Sequence, residues 1–197
     1  ELIEGGLQRN STNMILGGSG SGKSIFATQF LVEGMKKGEK CLYVTFEEKK
    51  EKFYNNMKDF GWDIIPYLRK GRLKILDCYS GLTGESHGAI RDPSDLTELN
   101  IQITSFIAKA KGGAVTLVLD SLTPIFNGAD AKQAISFIQT IGAKVKKTGG
   151  LLLLTASQGA VPADPLAKIK STVDGIIELT VVRSGRRVSR YLSVVKM

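Results

Sequence analysis

The 197-residue chain is 42% hydrophobic, which suits one ordinary domain over residues 1–197 with a substantial core and argues against a second. No run approaches the roughly 20 apolar residues of a membrane-spanning helix, and Glu1 to Asn10 is too polar and glycine-rich for a secretory signal, so the chain reads as cytoplasmic. Its 27 basic and 19 acidic residues give a formal charge of +8, compatible with a nucleic acid, an acidic membrane or an anionic nucleotide and selecting none of them.

In chain order, an apolar strand is predicted over Asn13 to Leu16, followed by the loop Gly17-Gly18-Ser19-Gly20-Ser21-Gly22-Lys23-Ser24 and a helix beginning near Lys23 and carrying Ile25, Phe26, Phe30 and Leu31. A second strand spans Lys40 to Phe46. Phe53, Met57 and Phe60 then recur at helical spacing. Leu73 to Cys78 is a third strand. Cys41 and Cys78 sit inside apolar runs, where a buried thiol is expected rather than a disulfide or metal ligand. A glycine-rich loop with His87 runs from Ser80 to Pro93. A helix opens at Pro93-Ser94, continues through Leu96, Leu99, Ile103, Phe106 and Ile107, and stops at Gly112-Gly113. Val115 to Asp120 is the fourth strand, Ile135, Ile138, Ile141 and Val145 mark a further helix, and Leu151 to Ala156 is the fifth strand. After a loop from Ser157 to Pro165, strands at Gly175 to Val182 and Val188 to Lys196 are too closely spaced for a crossover helix and predict an antiparallel hairpin. The class is α/β: a mainly parallel sheet flanked by helices, with a C-terminal hairpin and ligand at the carboxyl ends of the strands.

The glycine-rich loop between strand and helix is a phosphate cradle. Backbone amides of Gly18, Ser19, Gly20, Ser21, Gly22, Lys23, Ser24 and Ile25 converge on the phosphates at a helix N-terminus, Lys23 reaches the β- and γ-phosphate oxygens, and the Ser24 hydroxyl ligates Mg²⁺. Asp120, ending an apolar strand, has the form of a carboxylate holding Mg²⁺ through water opposite Ser24, although an aspartate there also suits a helix cap. Glu47-Glu48 follows a strand expected to neighbour the phosphate loop. Their spacing fits either a carboxylate that orients the attacking water or the acidic first turn of the next helix.

Gly5-Gly6-Leu7 through the phosphate loop, Tyr43-Val44-Thr45-Phe46-Glu47-Glu48, Leu119-Asp120-Ser121-Leu122-Thr123 and Val194-Val195-Lys196-Met197 together resemble the KaiC-like branch of the RecA superfamily of P-loop ATPases. The resemblance spans essentially the whole chain. It implies ATP as substrate, with Glu47 and Glu48 at the positions of the family's catalytic glutamates, and assembly into rings, often hexamers, or filaments with ATP at subunit boundaries. Lys196 matches the lysine of the family's closing Lys-Met-Arg-Gly segment, which reaches a neighbour's nucleotide, whereas alone it reads as a snorkelling residue at a strand end. Thr155 and Gln158 resemble the place where the superfamily senses the γ-phosphate; ordinary loop capping is the other reading of Gln158. Arg183, Arg186, Arg187 and Arg190 suit a neighbour's nucleotide, an acidic partner, nucleic acid or protection of a sheet edge. Gln8-Arg9-Asn10 departs from the family's Pro- and Gly-containing opening turn. The sequence therefore predicts an Mg²⁺-dependent ATPase acting in a homo-oligomer, with a DNA-binding recombination or repair paralogue as the alternative. Against that alternative, Ser157 to Pro165 carries no aromatic residue for stacking bases.

Overall fold

The computed structural model describes residues 6–84, 90, 92 and 95–197. Gly5, His87 and Pro93-Ser94 of the sequence reading lie outside the described residues. Along the chain run β1 (Ser11–Gly17), α1 (Lys23–Lys36), β2 (Lys40–Thr45), α2 (Lys50–Asp59), α3 (Ile65–Arg69), β3 (Leu73–Asp77), α4 (Tyr79–Leu82), α5 (Leu96–Ala108), β4 (Val115–Asp120), α6 (Leu122–Gly128), α7 (Ala131–Lys146), β5 (Leu151–Ser157), α8 (Ala163–Thr172), β6 (Gly175–Ser184) and β7 (Arg187–Lys196). The strands form one 7-stranded sheet in the order β3-β2-β4-β5-β1-β6-β7. Every described pairing is parallel except β6 with β7.

Alternation along the strands divides the core into two layers. Met14, Leu16, Leu42, Val44, Leu117, Leu119, Leu152 and Leu154 pack with α5, α6, α7 and α8. Ile15, Cys41, Tyr43, Val118 and Leu153 face the opposite way, against Ala27, Leu31 and Met35 of α1 and Phe53 and Met57 of α2. Successive side chains of a strand point to opposite faces, so continuous apolar runs supply both layers. Cys41 and Cys78 are buried free thiols whose burial raises their pKa, as befits inert core residues.

One expectation about placement is corrected by the strand order. β2 does not neighbour β1; β4 and β5 lie between them, a lateral separation of about 14 Å at ordinary strand spacing. The start of α2 removes one of the two readings of Glu47-Glu48. Its N-cap is Lys49, in extended conformation at φ −67° and ψ 149°, so Glu47 and Glu48 precede the helix instead of forming its first turn.

Candidate active site

The phosphate loop leaves the carboxyl end of β1 and enters α1 through Gly22, whose φ of 99° is left-handed and cheap only for glycine. The N-cap residue Gly22 has no side chain to cap α1, and the first turn holds no acidic residue. The amides that begin the helix and the positive end of its dipole are thus left for an anion. Gly18, Ser19 and Gly20 form the exposed crest. At Gly17 close approach is the constraint: an added Cβ would lie 2.4 Å from the Leu179 carbonyl oxygen of β6 and 2.6 Å from Ser21 Oγ. Ser21 itself is buried, and its Oγ has no hydrogen-bond partner among the described residues.

Lys23 is buried in the first turn of α1, and its Nζ donates to the carbonyls of Gly17 at 3.1 Å and Gly18 at 2.9 Å. Burial lowers its pKa, while the negative charges of Glu47 and then Asp120 act against that shift. The carboxylates from the ends of β2 and β4 therefore share an electrostatic neighbourhood with the phosphate-loop lysine, despite the intervening strands. Ser24 is half-buried, and Ile25, next along α1, is 40% exposed.

The two glutamates part company. Glu47 is exposed at the end of β2, and its Oε1 accepts from Ser121 Oγ at 2.5 Å. Glu48 turns toward α2, accepting from Asn56 Nδ2 at 3.2 Å and lying 3.7 Å from Lys52 Nζ. Burial raises the Glu48 pKa; Lys52 acts in the opposite direction. Asp120 is buried at the end of β4, where its Oδ1 accepts from Thr155 Oγ1 and its Oδ2 from Tyr43 Oη at 2.5 Å. Tyr43 is pushed well up by burial and then by the charge of Asp120, so its hydroxyl stays a donor.

These are hard oxygen donors of the kind Mg²⁺ prefers, and Mg²⁺ usually takes only one or two protein groups, filling its remaining positions with water and phosphate oxygens. Ser24 Oγ and the Asp120 carboxylate fit that pattern. Among the described residues no cluster of three His, Cys, Asp or Glu forms a closed metal cage, and such a site needs none.

Gln158 is exposed just past β5, and its backbone N–H donates to the Gly17 carbonyl at 3.1 Å. This bond ties the proposed sensing loop directly to the root of the phosphate loop. Lys196 stands elsewhere. It pairs across the hairpin with Ile176, the β6 partner of Met14 in the middle of β1, and its Nζ donates to the carbonyls of Ser171 at 3.2 Å and Val173 at 2.5 Å around the C-terminus of α8. The Lys196 amine thus reaches away from its own phosphate loop, toward the segment that precedes β6. The hairpin's other end projects past Leu179, the β6 partner of Gly17, and carries Arg183, Arg186, Arg187 and Arg190. Sequence reasoning took Tyr43 and Ser121 only as parts of motifs, and it read Thr155 with the γ-phosphate sensor, whereas its hydroxyl is on Asp120. The available signal was a set of polar side chains, Tyr43, Thr45 and Thr155, within otherwise apolar strands.

A phosphate loop on β1, carboxylates at the ends of β2 and β4, and a strand between β4 and β1 define a RecA-like P-loop nucleotide-binding domain. The chain belongs to the KaiC ATPase family, whose family model matches residues 1–197. A UPF0273 protein of Thermotoga maritima is 30% identical over 100% of this chain and 82% of its own length. The circadian clock protein KaiC3 of Synechocystis is 34% identical over 80% of this chain, a match that spans only 30% of that protein. The crystal structure of a KaiC-like protein from Pyrococcus horikoshii superposes with a TM-score of 0.78 at 24% identity, covering 100% of this chain and 83% of that one, and supports the fold. The family match does not favour the DNA-binding recombination alternative. Among the described residues no helix is long and apolar enough to cross a membrane.

Proposed function

We propose that residues 1–197 act as one Mg²⁺-dependent ATPase domain that converts ATP and water to ADP and phosphate. The observation that carries this reading is the glycine loop at the N-terminus of α1, where the buried Lys23 amine donates to the Gly17 and Gly18 carbonyls. Loop amides from Gly18 to Ile25 grip the phosphates. Lys23 leaves the Gly17 and Gly18 carbonyls for the β- and γ-phosphate oxygens, exchanging neutral acceptors for charged ones. Ser24 Oγ and, through water, Asp120 would hold Mg²⁺, which would neutralise charge on the phosphates. Glu47, fixed by Ser121, accepts a hydrogen bond from the attacking water and aligns it with the γ-phosphorus. Glu48, held by Asn56 and Lys52, has a supporting part. Gln158 donates to a γ-phosphate oxygen and relays its loss through the Gly17 contact.

The domain works within a homo-oligomer, a hexameric ring being the arrangement the family suggests, in a regulatory or mechanical role. Lys196 of a neighbouring copy completes the site, its amine in its own chain being held at the C-terminus of α8 and not at the phosphate loop. Equilibrium binding of a fluorescent ATP analogue tests the core of the reading. Lys23→Ala weakens affinity about 10- to 100-fold, the worth of a charge-assisted contact; unchanged affinity contradicts the assignment.

A further inference from the structure

Asp120 is 4% exposed, and each of its carboxylate oxygens is held by a hydroxyl from a different flanking strand. Tyr43 on β2 and Thr155 on β5 stand on either side of β4 in the sheet. Neither donor can swing away. Tyr43 is 1% exposed and its ring stacks on Phe53 with centroids 4.2 Å apart, while Thr155 is wholly buried. Both hydroxyls sit in otherwise apolar strands, where a phenyl ring or an isopropyl group would fill the same space without a polar atom to satisfy. Among the described residues, Asp120 is the hydrogen-bond partner of both.

We infer that Tyr43 and Thr155 are positioning residues that clamp Asp120 from both sides and thereby set the Mg²⁺ concentration at which the site loads. The inference rests on the proposed reading of Asp120 as a metal-holding carboxylate. A carboxylate has about four lone-pair sites. With one on each oxygen taken, the clamp fixes the plane of the group, and the remaining lone pairs keep one direction toward the end of β4. A carboxylate acting through water depends on that direction, because it must meet water molecules whose own positions are fixed by the ion. Partners one step removed from a metal commonly contribute about 10- to 100-fold in affinity.

The test is a MgCl₂ titration of the intact chain with a fluorescent ATP analogue, reading the Mg²⁺ midpoint for analogue binding, with circular dichroism and thermal unfolding recorded on every variant. Tyr43→Phe, which keeps the stack on Phe53, and Thr155→Val each raise the midpoint about tenfold, whereas Thr155→Ser restores the wild-type midpoint. A purely structural role would lower the unfolding temperature and leave the midpoint in place, which overturns the inference. If one variant fails to fold, the other decides. Asp120→Asn separates the two levels of the argument. If it leaves the midpoint unchanged, the metal reading of Asp120 fails; if it raises the midpoint while Tyr43→Phe and Thr155→Val do not, the clamp alone fails.

Discussion

Ser121 Oγ donates to Glu47 Oε1 at 2.5 Å, joining the residue after β4 to the residue two past the end of β2. The bond tethers the exposed Glu47 carboxylate to the residue that follows β4, while Glu48 is drawn off toward α2. Ser121→Ala frees the carboxylate to rotate, and we expect kcat to fall about tenfold, the worth of one hydrogen bond to a charged group, with little change in KM. A rise in KM at constant kcat would place Ser121 in ground-state binding instead.

Gly17 has the Leu179 carbonyl of β6 and the Ser21 hydroxyl where a side chain would go. Gly17→Ala forces β1 and β6 apart at the root of the phosphate loop, costing about 1–3 kcal/mol as an overpacking change. Urea unfolding should show a lowered midpoint with an unaltered slope. An unchanged midpoint would mean that the loop relaxes freely around the new methyl group.

Much of this architecture was legible in the residues. Each predicted strand is present with ends within two residues of the expected ones, because buried parallel strands are continuous apolar runs whose ends are marked by glycine and charge. Of the missed helices, α4 is a single turn at the start of the expected Ser80 loop, and α3, α6 and α8 share a cause: each carries proline in its first turn, at Pro66, Pro124 and Pro165. The early amides of a helix have no intrahelical acceptor, so proline there breaks nothing, although in sequence it reads as a stop. Strand order was not legible either, since nothing local to Glu47 records that β4 and β5 separate β2 from β1. At the site, the phosphate loop and Asp120 were proposed from motif and strand pattern, whereas spacing alone left Glu47 between two readings and the family resemblance favoured the one at the attacking water. The hydroxyls that hold those carboxylates were not legible, because Ser121, Tyr43 and Thr155 acquire their partners only when strands distant in sequence pair.

Asp174 supplies a pH-dependent tie between β1, α7 and β6. Its carboxylate accepts from the Thr12 amide at 2.7 Å and lies 2.6 Å from Lys146 Nζ. Burial pushes its pKa up, but the hydrogen bonds from Lys146 and Thr12 and the nearby positive charges outweigh that and hold it below the usual carboxylate value. A lowered folded-state pKa contributes stability above the unfolded pKa and loses it as pH falls through the folded value. Asp174→Asn should therefore be less stable than wild type near neutrality, by at most about 1 kcal/mol since the group is partly exposed. The gap should close below the ordinary aspartate range near pH 4. A gap that is constant with pH would assign the loss to packing.

Lys196 offers a test of sharing between copies. Lys23→Ala disables a subunit's own phosphate loop but leaves its Lys196; Lys196→Ala does the reverse. Each alone should be deficient in turnover, and mixing the two under exchange conditions should restore part of the activity, because some boundaries then combine an intact loop with an intact lysine. Activity that merely averages the two would show that Lys196 serves its own chain by capping α8.

The most direct measurement is phosphate release from Mg-ATP by the purified protein and by Glu47→Gln. The account predicts steady release by the wild type and a loss of about 10²- to 10⁴-fold in the variant, with affinity for the ATP analogue retained. Equal release by both proteins, or none by the wild type under conditions where it binds the analogue, would contradict it.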